Sequence, residues 1–239
     1  MCFSAEVSFA SAAVLFPTGV YCLRIALRRR PRLWPIAVVP AVFGVQQACE
    51  GVVWLELDRD IEAVVSMAGA AYLFFALAFW PFWFSLAPTL METPGKTRRF
   101  LVLWTLLSTG WFWFAYLPML TDPLGASARV HHDSIEYEYV EVNTESALVR
   151  WGLRGLYLVT ATVPLVVSSW RRVLAIPMLL GVSSAVVAML LYDQAFLSVW
   201  CLFAAMLSAS FLFAILRADQ PRSHHVELAL LTPLRSARQ

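Results

Sequence analysis

Seven long apolar stretches run through the chain, and the charged residues between them are sorted by sign. A helix needs about 20 mostly apolar residues to span a bilayer. Seven stretches meet that length: 5–26, 33–56, 62–90, 100–120, 148–169, 173–192 and 195–216. The sequence therefore predicts an all-α integral membrane protein built as a bundle of seven transmembrane helices.

Composition supports this class. The chain has 239 residues, of which 60% are hydrophobic and 14% are charged. One water-soluble core cannot bury so much apolar surface, so we expect membrane lipids to cover the rest. No basic tract is interleaved with polar surface, and a nucleic-acid partner is not expected.

The sign of the charges predicts an orientation. Basic residues fall in alternate connections between the stretches: Arg24, Arg28, Arg29, Arg30, Arg32, Lys96, Arg98, Arg99, Arg171 and Arg172. Acidic residues fill the other connections: Glu56, Asp58, Asp60, Glu62, Asp122, Asp133, Glu136, Glu138, Glu141 and Glu145. Because cytoplasmic loops are enriched in Lys and Arg, we expect the N-terminus outside and the C-terminus in the cytoplasm. The predicted location is the cell (cytoplasmic) membrane.

Only one connection is long enough to fold by itself. It covers about 121–147, between the fourth and fifth helices. From Arg129 to Val142, Val, Ile and Tyr alternate with Glu and His, which predicts a short β-hairpin on the outer side. The transmembrane domain is expected to cover 1–217. Residues 218–239 would form a cytoplasmic tail, which we expect to be flexible.

Polar residues inside the predicted helices gather near the outer side. Gln46 and Glu50 lie four residues apart and share one helix face, with Gln47 beside them. Arg150 and Arg154 repeat this spacing at a similar depth, and a pairing of Glu50 with either arginine would lower the cost of burying charge. Asp193 lies at the outer end of the sixth helix. Two interpretations stay open: interhelical contacts that only stabilise the fold, or a polar pocket that opens outward.

Three cysteines fall at the same depth as this candidate pocket: Cys49 of the second helix and the candidate pair Cys2 and Cys201. Cys2 precedes the first helix, and Cys201 lies in the seventh. Three states are open for this candidate thiol pair: a disulfide, two unpaired buried thiols, or reactive or metal-binding thiols. The histidines lie outside the predicted helices, so no metal site is predicted within the bundle. The sequence leaves the cofactor open.

Several motifs carry a resemblance to a known group. They are Met1-Cys2-Phe3-Ser4-Ala5 with Ser8-Phe9, Phe43-Gly44-x-Gln46-Gln47-x-x-Glu50-Gly51-x-Val53-Trp54, Phe79-Trp80-Pro81, and Ser198-x-Trp200-Cys201-x-Phe203-Ala204-Ala205. In combination they resemble an uncharacterised family of bacterial multi-pass membrane proteins, a domain of unknown function. The resemblance implies that Cys2, Gln46, Gln47, Glu50, Trp200 and Cys201 belong to the family pattern, which favours the pocket.

Two classes of function fit these observations, with a third in reserve. The first is a binding, sensing or accessory protein, whose pocket accepts a lipid headgroup, a small apolar or anionic ligand, or a partner membrane protein. The second is an integral membrane enzyme that uses a Glu, Arg and Cys site near the outer leaflet, with Glu50 as general acid or base. The third is a small permease, which requires polar positions that continue to the inner leaflet. We favour the first class because no complete set of catalytic residues can be assembled.

Overall fold

The computed structural model describes residues 4–59, 61–122, 127–131, 134–138, 147–191 and 196–218. Within these ranges the chain forms seven long helical units and one hairpin. The helices are α1 (Ala5–Arg29), α2 (Pro31–Leu57), α3 (Glu62–Met91), α4 (Lys96–Thr121), α5 (Ala147–Val167), α6 (Arg171–Leu191) and α7, which consists of Phe196–Ser208 and Ser210–Ala218. The strands are β1 (Ser127–His131) and β2 (Ser134–Glu138).

Six of these helices are long and apolar enough to cross a membrane. They are Ala5–Arg29, Pro31–Leu57, Glu62–Met91, Lys96–Thr121, Arg171–Ala188 and Ser198–Leu216. This composition indicates a membrane protein and confirms the all-α class. The sequence predicts seven spans, whereas α5 is not one of the six. Its first two turns carry Arg150 and Arg154, which lower its mean hydropathy.

Two glycines let α1 and α2 cross at very short range. A Cβ atom at Gly19 would overlap the backbone nitrogen of Ala41, and one at Gly44 would lie 2.9 Å from the backbone nitrogen of Phe16. The hydrophobic effect does not drive helices together within lipid, so the van der Waals packing that small residues allow is a principal source of attraction. These glycines therefore fix α2, which carries Gln46 and Glu50, against α1.

A π-helical segment bends α3 in its middle, at Phe74–Phe79. Pro81 follows at once. Proline has no N–H group and clashes with the carbonyl four residues earlier, here that of Leu77. The Trp111 indole donates to the Leu77 carbonyl at 2.9 Å, and the Tyr157 hydroxyl donates to the Ala76 carbonyl at 2.8 Å. Donors from α4 and α5 thus replace the hydrogen bonds that α3 loses at the bend.

In α5 a carbonyl freed by proline is likewise paired by side-chain donors from neighbouring helices. Pro164 removes the backbone donor for the Thr160 carbonyl. The Trp104 indole donates to this carbonyl at 3.1 Å, and the Ser85 hydroxyl lies 3.2 Å from it. Residues from α4 and α3 therefore pair the carbonyl that Pro164 leaves without a backbone donor.

A hairpin is confirmed between α4 and α5, with strands at Ser127–His131 and Ser134–Glu138. Its strands are antiparallel, with Val130 opposite Ile135. Ile135 and Tyr137 are buried, and β2 packs against α7 while β1 packs against α3. Arg129 and Glu136 form an ion pair at 3.1 Å. The hairpin covers one end of the helical bundle, which we call the hairpin end.

Candidate functional site

A carboxyl group lies deep in the bundle, close to the hairpin end. Glu50 is 2% exposed. Its Oε2 accepts a hydrogen bond from Gln47 Nε2 at 3.1 Å, and its Oε1 accepts one from the Ser198 hydroxyl at 2.5 Å. Gln47 is one turn earlier on α2, whereas Ser198 is on α7. Among the described residues, Glu50 therefore joins two helices through uncharged donors.

Gln46 connects the same region of α2 to α3. Its Oε1 accepts a hydrogen bond from the Trp80 indole at 2.6 Å. The Trp80 ring stacks on Phe43 with a centroid distance of 3.8 Å. This bond fixes the amide orientation, so Nε2 turns to the other side. There it lies close to the Cys201 thiol, without a hydrogen bond of acceptable geometry.

Two tyrosines cover Glu50 at the hairpin end. Tyr72 of α3 and Tyr137 of β2 stack with a centroid distance of 4.8 Å and an interplanar angle of 12°. Burial raises the pKa of Tyr137 well above its ordinary value, and the nearby Glu50 carboxyl raises it further. The Tyr137 phenol is therefore neutral at physiological pH and can donate a hydrogen bond.

Three polar atoms around Glu50 have no hydrogen-bond partner among the described residues. They are Gln46 Nε2, Gln47 Oε1 and Tyr137 Oη. Buried polar groups are nearly always paired, and leaving one unpaired costs about 1–3 kcal/mol. Two donors and one acceptor around one carboxyl can bind a water molecule or a polar group of a ligand. We call Gln46, Gln47, Glu50, Tyr72, Tyr137 and Ser198 the polar cluster.

An apolar cleft adjoins this cluster. It lies between α2, α3, α5, α6 and α7, is open on one side, and has a cavity volume of about 80 Å³. Trp80 and Cys201 belong to its lining, together with Phe43, Leu165, Met178 and Phe211. Because the same Trp80 and Cys201 lie against Gln46, the cleft and the cluster are adjacent at these two side chains.

The structure brings together three of the six residues predicted for the pocket: Gln46, Gln47 and Glu50. Neither arginine is among the described hydrogen-bond partners of Glu50. The guanidinium carbon of Arg154 lies 5.5 Å from the centroid of the Trp151 ring, and α5, which carries both arginines, packs mainly on α3. Asp193 lies outside the described residues.

The structure describes one cysteine of the predicted pair. Cys201 is a free, buried thiol and lies within hydrogen-bonding range of Tyr72. Cys2 lies outside the described residues, so the Cys2–Cys201 pair remains a prediction. Among the residues described, no group of three or more His, Cys, Asp and Glu side chains is placed to hold a metal ion.

The sequence analysis missed Ser198, Tyr72, Tyr137 and Trp80 as members or neighbours of the site. A signal existed for Ser198, which lies one helical turn before Cys201 in the last motif and so shares its face. Trp80 also belongs to a motif. Nothing in the local pattern distinguishes Tyr72 from other aromatic residues, because its role depends on the contact with the hairpin.

Fold and site together define a polytopic helical protein with a buried polar centre beside an apolar cleft. The chain belongs to a family of unknown function (DUF6629), whose model matches residues 1–226. All motifs that carried the resemblance lie within this match, which confirms it. No curated protein and no solved structure matches the chain.

Proposed function

We propose that this chain is a seven-span protein of the cell membrane that binds a ligand at the polar cluster. In this proposal the N-terminus and the hairpin face outward and the C-terminus faces the cytoplasm. The sorting of basic and acidic residues between the spans supports this orientation. The polar cluster then lies near the outer leaflet, below the hairpin. A binding, sensing or accessory role follows, with any signal passed to a partner membrane protein.

The unpartnered atoms of Gln46, Gln47 and Tyr137 are the observation that carries this proposal. If the cluster only joined helices, each buried donor and acceptor would be expected to find a partner within the protein. Membrane helices usually achieve this, since lipid offers no alternative partner. A bound polar group would supply a partner that the protein itself does not provide. It would also explain why Glu50 is surrounded by uncharged donors.

The charge of the cluster favours an uncharged ligand over an anionic one. An anion beside Glu50 would face a carboxyl group whose described hydrogen bonds come only from neutral donors. Bringing two negative charges together in a medium of low dielectric constant is costly unless a cation compensates. We therefore propose a neutral polar ligand at this site.

Replacing Tyr137 by Phe tests this function directly. The change removes a buried hydroxyl without a described partner, so we expect the unfolding temperature to stay the same or rise. The affinity for the ligand should fall at least about tenfold, which corresponds to a loss of about 1.4 kcal/mol. Native mass spectrometry of protein released from detergent should then show a lower ligand occupancy than in the wild type.

Thr89→Val is the control, because it also removes one buried hydroxyl, at a residue that belongs neither to the polar cluster nor to the cleft. That hydroxyl donates to the Ser85 carbonyl at 3.0 Å, so its loss should lower stability by about 1–2 kcal/mol and leave occupancy unchanged. Equal occupancy in wild type and Tyr137→Phe, or a bare wild-type protein, would overturn the proposed binding function.

An enzyme is the second candidate, and one contact favours it. The Ser198 hydroxyl donates to Glu50 at 2.5 Å, the arrangement in which a carboxylate can take a proton from a nucleophilic hydroxyl. This hypothesis predicts that Glu50→Gln folds but accumulates unconverted substrate. The molecules released from wild type and from Glu50→Gln would then differ in mass. Identical masses would leave binding as the function and exclude conversion at Glu50.

The hydroxyl groups on the helices give little support to a permease function. Thr160, Thr162 and Ser184 each donate to a carbonyl of their own helix, those of Leu156, Leu158 and Gly181. Hydroxyls used in this way offer a solute few free donors along its path. We therefore rank transport below binding and catalysis.

A further inference from the structure

The apolar cleft and the polar cluster are adjacent at Trp80 and Cys201, which line the cleft and lie beside Gln46. We propose that the ligand is a single-chain lipid with an uncharged hydroxyl or carbonyl end, whose hydrocarbon chain lies in the cleft and whose polar end reaches Gln46. This inference rests on the proposed binding function and adds the chemical class of the ligand.

The lining of the cleft defines the chain. Its walls come from aromatic and aliphatic residues of five helices, among them Phe43, Phe84, Leu165, Met178 and Phe211. The hydroxyls of Tyr157, Thr162 and Ser208, which also belong to the lining, donate to backbone carbonyls. The surface left for an occupant is therefore almost wholly apolar. An open cleft of this kind in a membrane is suited to a hydrocarbon chain.

Gln46 defines the polar end. It is fully buried, its Oε1 is occupied by Trp80, and its free Nε2 lies close to Cys201, which forms part of the cleft wall. An amide nitrogen is a donor and requires an acceptor. A hydroxyl or carbonyl oxygen provides one, whereas an ammonium group has no lone pair. A carboxylate would add negative charge next to Glu50.

Photolabelling tests the inference on the full-length wild type in phosphatidylcholine nanodiscs. The probe is hexadecan-1-ol with a diazirine in the middle of its chain. We expect labels on α5, α6 and α7 residues of the cleft. Unlabelled hexadecan-1-ol should compete, whereas hexadecane and hexadecanoate should compete at least about tenfold less well. Equal competition by hexadecane, or labels spread over the lipid-facing surface, would overturn the proposal.

Two variants of α5 give a structural control. Ala161 is 7% exposed and forms part of the cleft, whereas Val159 is 47% exposed and does not. Ala161→Phe should block the cleft and abolish the specific labels, and Val159→Phe should retain them. If Ala161→Phe fails to fold, the competition series on the wild type still decides the question.

The two proposals fail in different ways. If Tyr137→Phe loses its co-purified ligand but the alcohol probe does not label the cleft, the binding function stands and the lipid class is wrong. If the wild type carries no ligand and the probe does not label the cleft, both proposals fail. Gln46→Met, which removes the amide donor, should reduce the preference for the alcohol over hexadecane while chain labelling persists; an unchanged preference would refute the polar contact.

Discussion

Gly19→Ala is expected to prevent normal accumulation of the folded protein. The added methyl group would overlap the backbone nitrogen of Ala41. Backbone atoms cannot move aside as a flexible side chain does, so α1 and α2 must separate along their whole contact. Overpacking of a rigid interior commonly costs 1–3 kcal/mol, and we expect a loss of about 3 kcal/mol or more here. Fluorescence-detected size-exclusion chromatography after heating would measure the change in unfolding temperature.

Gly155→Ala provides the control for this substitution. A Cβ atom at Gly155 would meet no atom within 4 Å. Alanine is favoured over glycine in a helix by about 1 kcal/mol, so this variant should be as stable as the wild type or slightly more stable. If Gly19→Ala were as stable as Gly155→Ala, the close crossing of α1 and α2 would be wrong.

Trp80→Ala is expected to lower stability by about 3–5 kcal/mol, the usual cost of removing a large buried aromatic side chain. Trp80 is 2% exposed and stacks on Phe43. Its indole also provides the hydrogen bond to Gln46 Oε1, so the variant leaves a buried amide with both of its polar atoms unpaired. Chemical or thermal unfolding in detergent would measure the loss.

Two variants separate the contributions of Trp80. Trp113→Ala removes an indole that is 51% exposed on α4 and should cost less than about 1 kcal/mol. Trp80→Phe keeps a ring for stacking and loses only the hydrogen bond and part of the volume. Its loss of stability should therefore lie between those of Trp113→Ala and Trp80→Ala. A loss for Trp113→Ala equal to that for Trp80→Ala would contradict the described packing of α3.

Secondary-structure elements are easier to predict from this sequence than the contacts between its helices. Helix positions follow from apolar length, and the hairpin follows from the alternation after Arg129, because both signals are local. The sequence also predicts a similar depth for Glu50, Arg150 and Arg154. Depth alone does not determine which helices are adjacent. In the structure the described hydrogen bonds to Glu50 come from Gln47 and Ser198, and α5 packs mainly on α3.

The candidate site shows the same limit on a smaller scale. The spacing of Gln46 and Glu50 correctly predicts one common face of α2. It does not indicate that the two side chains divide between different neighbours, Trp80 of α3 for Gln46 and Ser198 of α7 for Glu50. Tyr137 reaches the cluster through a hairpin that lies 87 positions after Glu50 in the chain. Contacts so distant in sequence depend on the tertiary fold.

The hydrogen bonds around Pro81 and Pro164 limit which parts of the molecule can move. The carbonyls released at Pro81 and Pro164 are each held by a donor from a neighbouring helix. These contacts make each helix rigid at its proline, because a change of shape there would break hydrogen bonds between helices. If the proposed binding function holds, we expect the ligand to enter by displacement of the hairpin or sideways from the lipid, while the helices around Pro81 and Pro164 keep their arrangement.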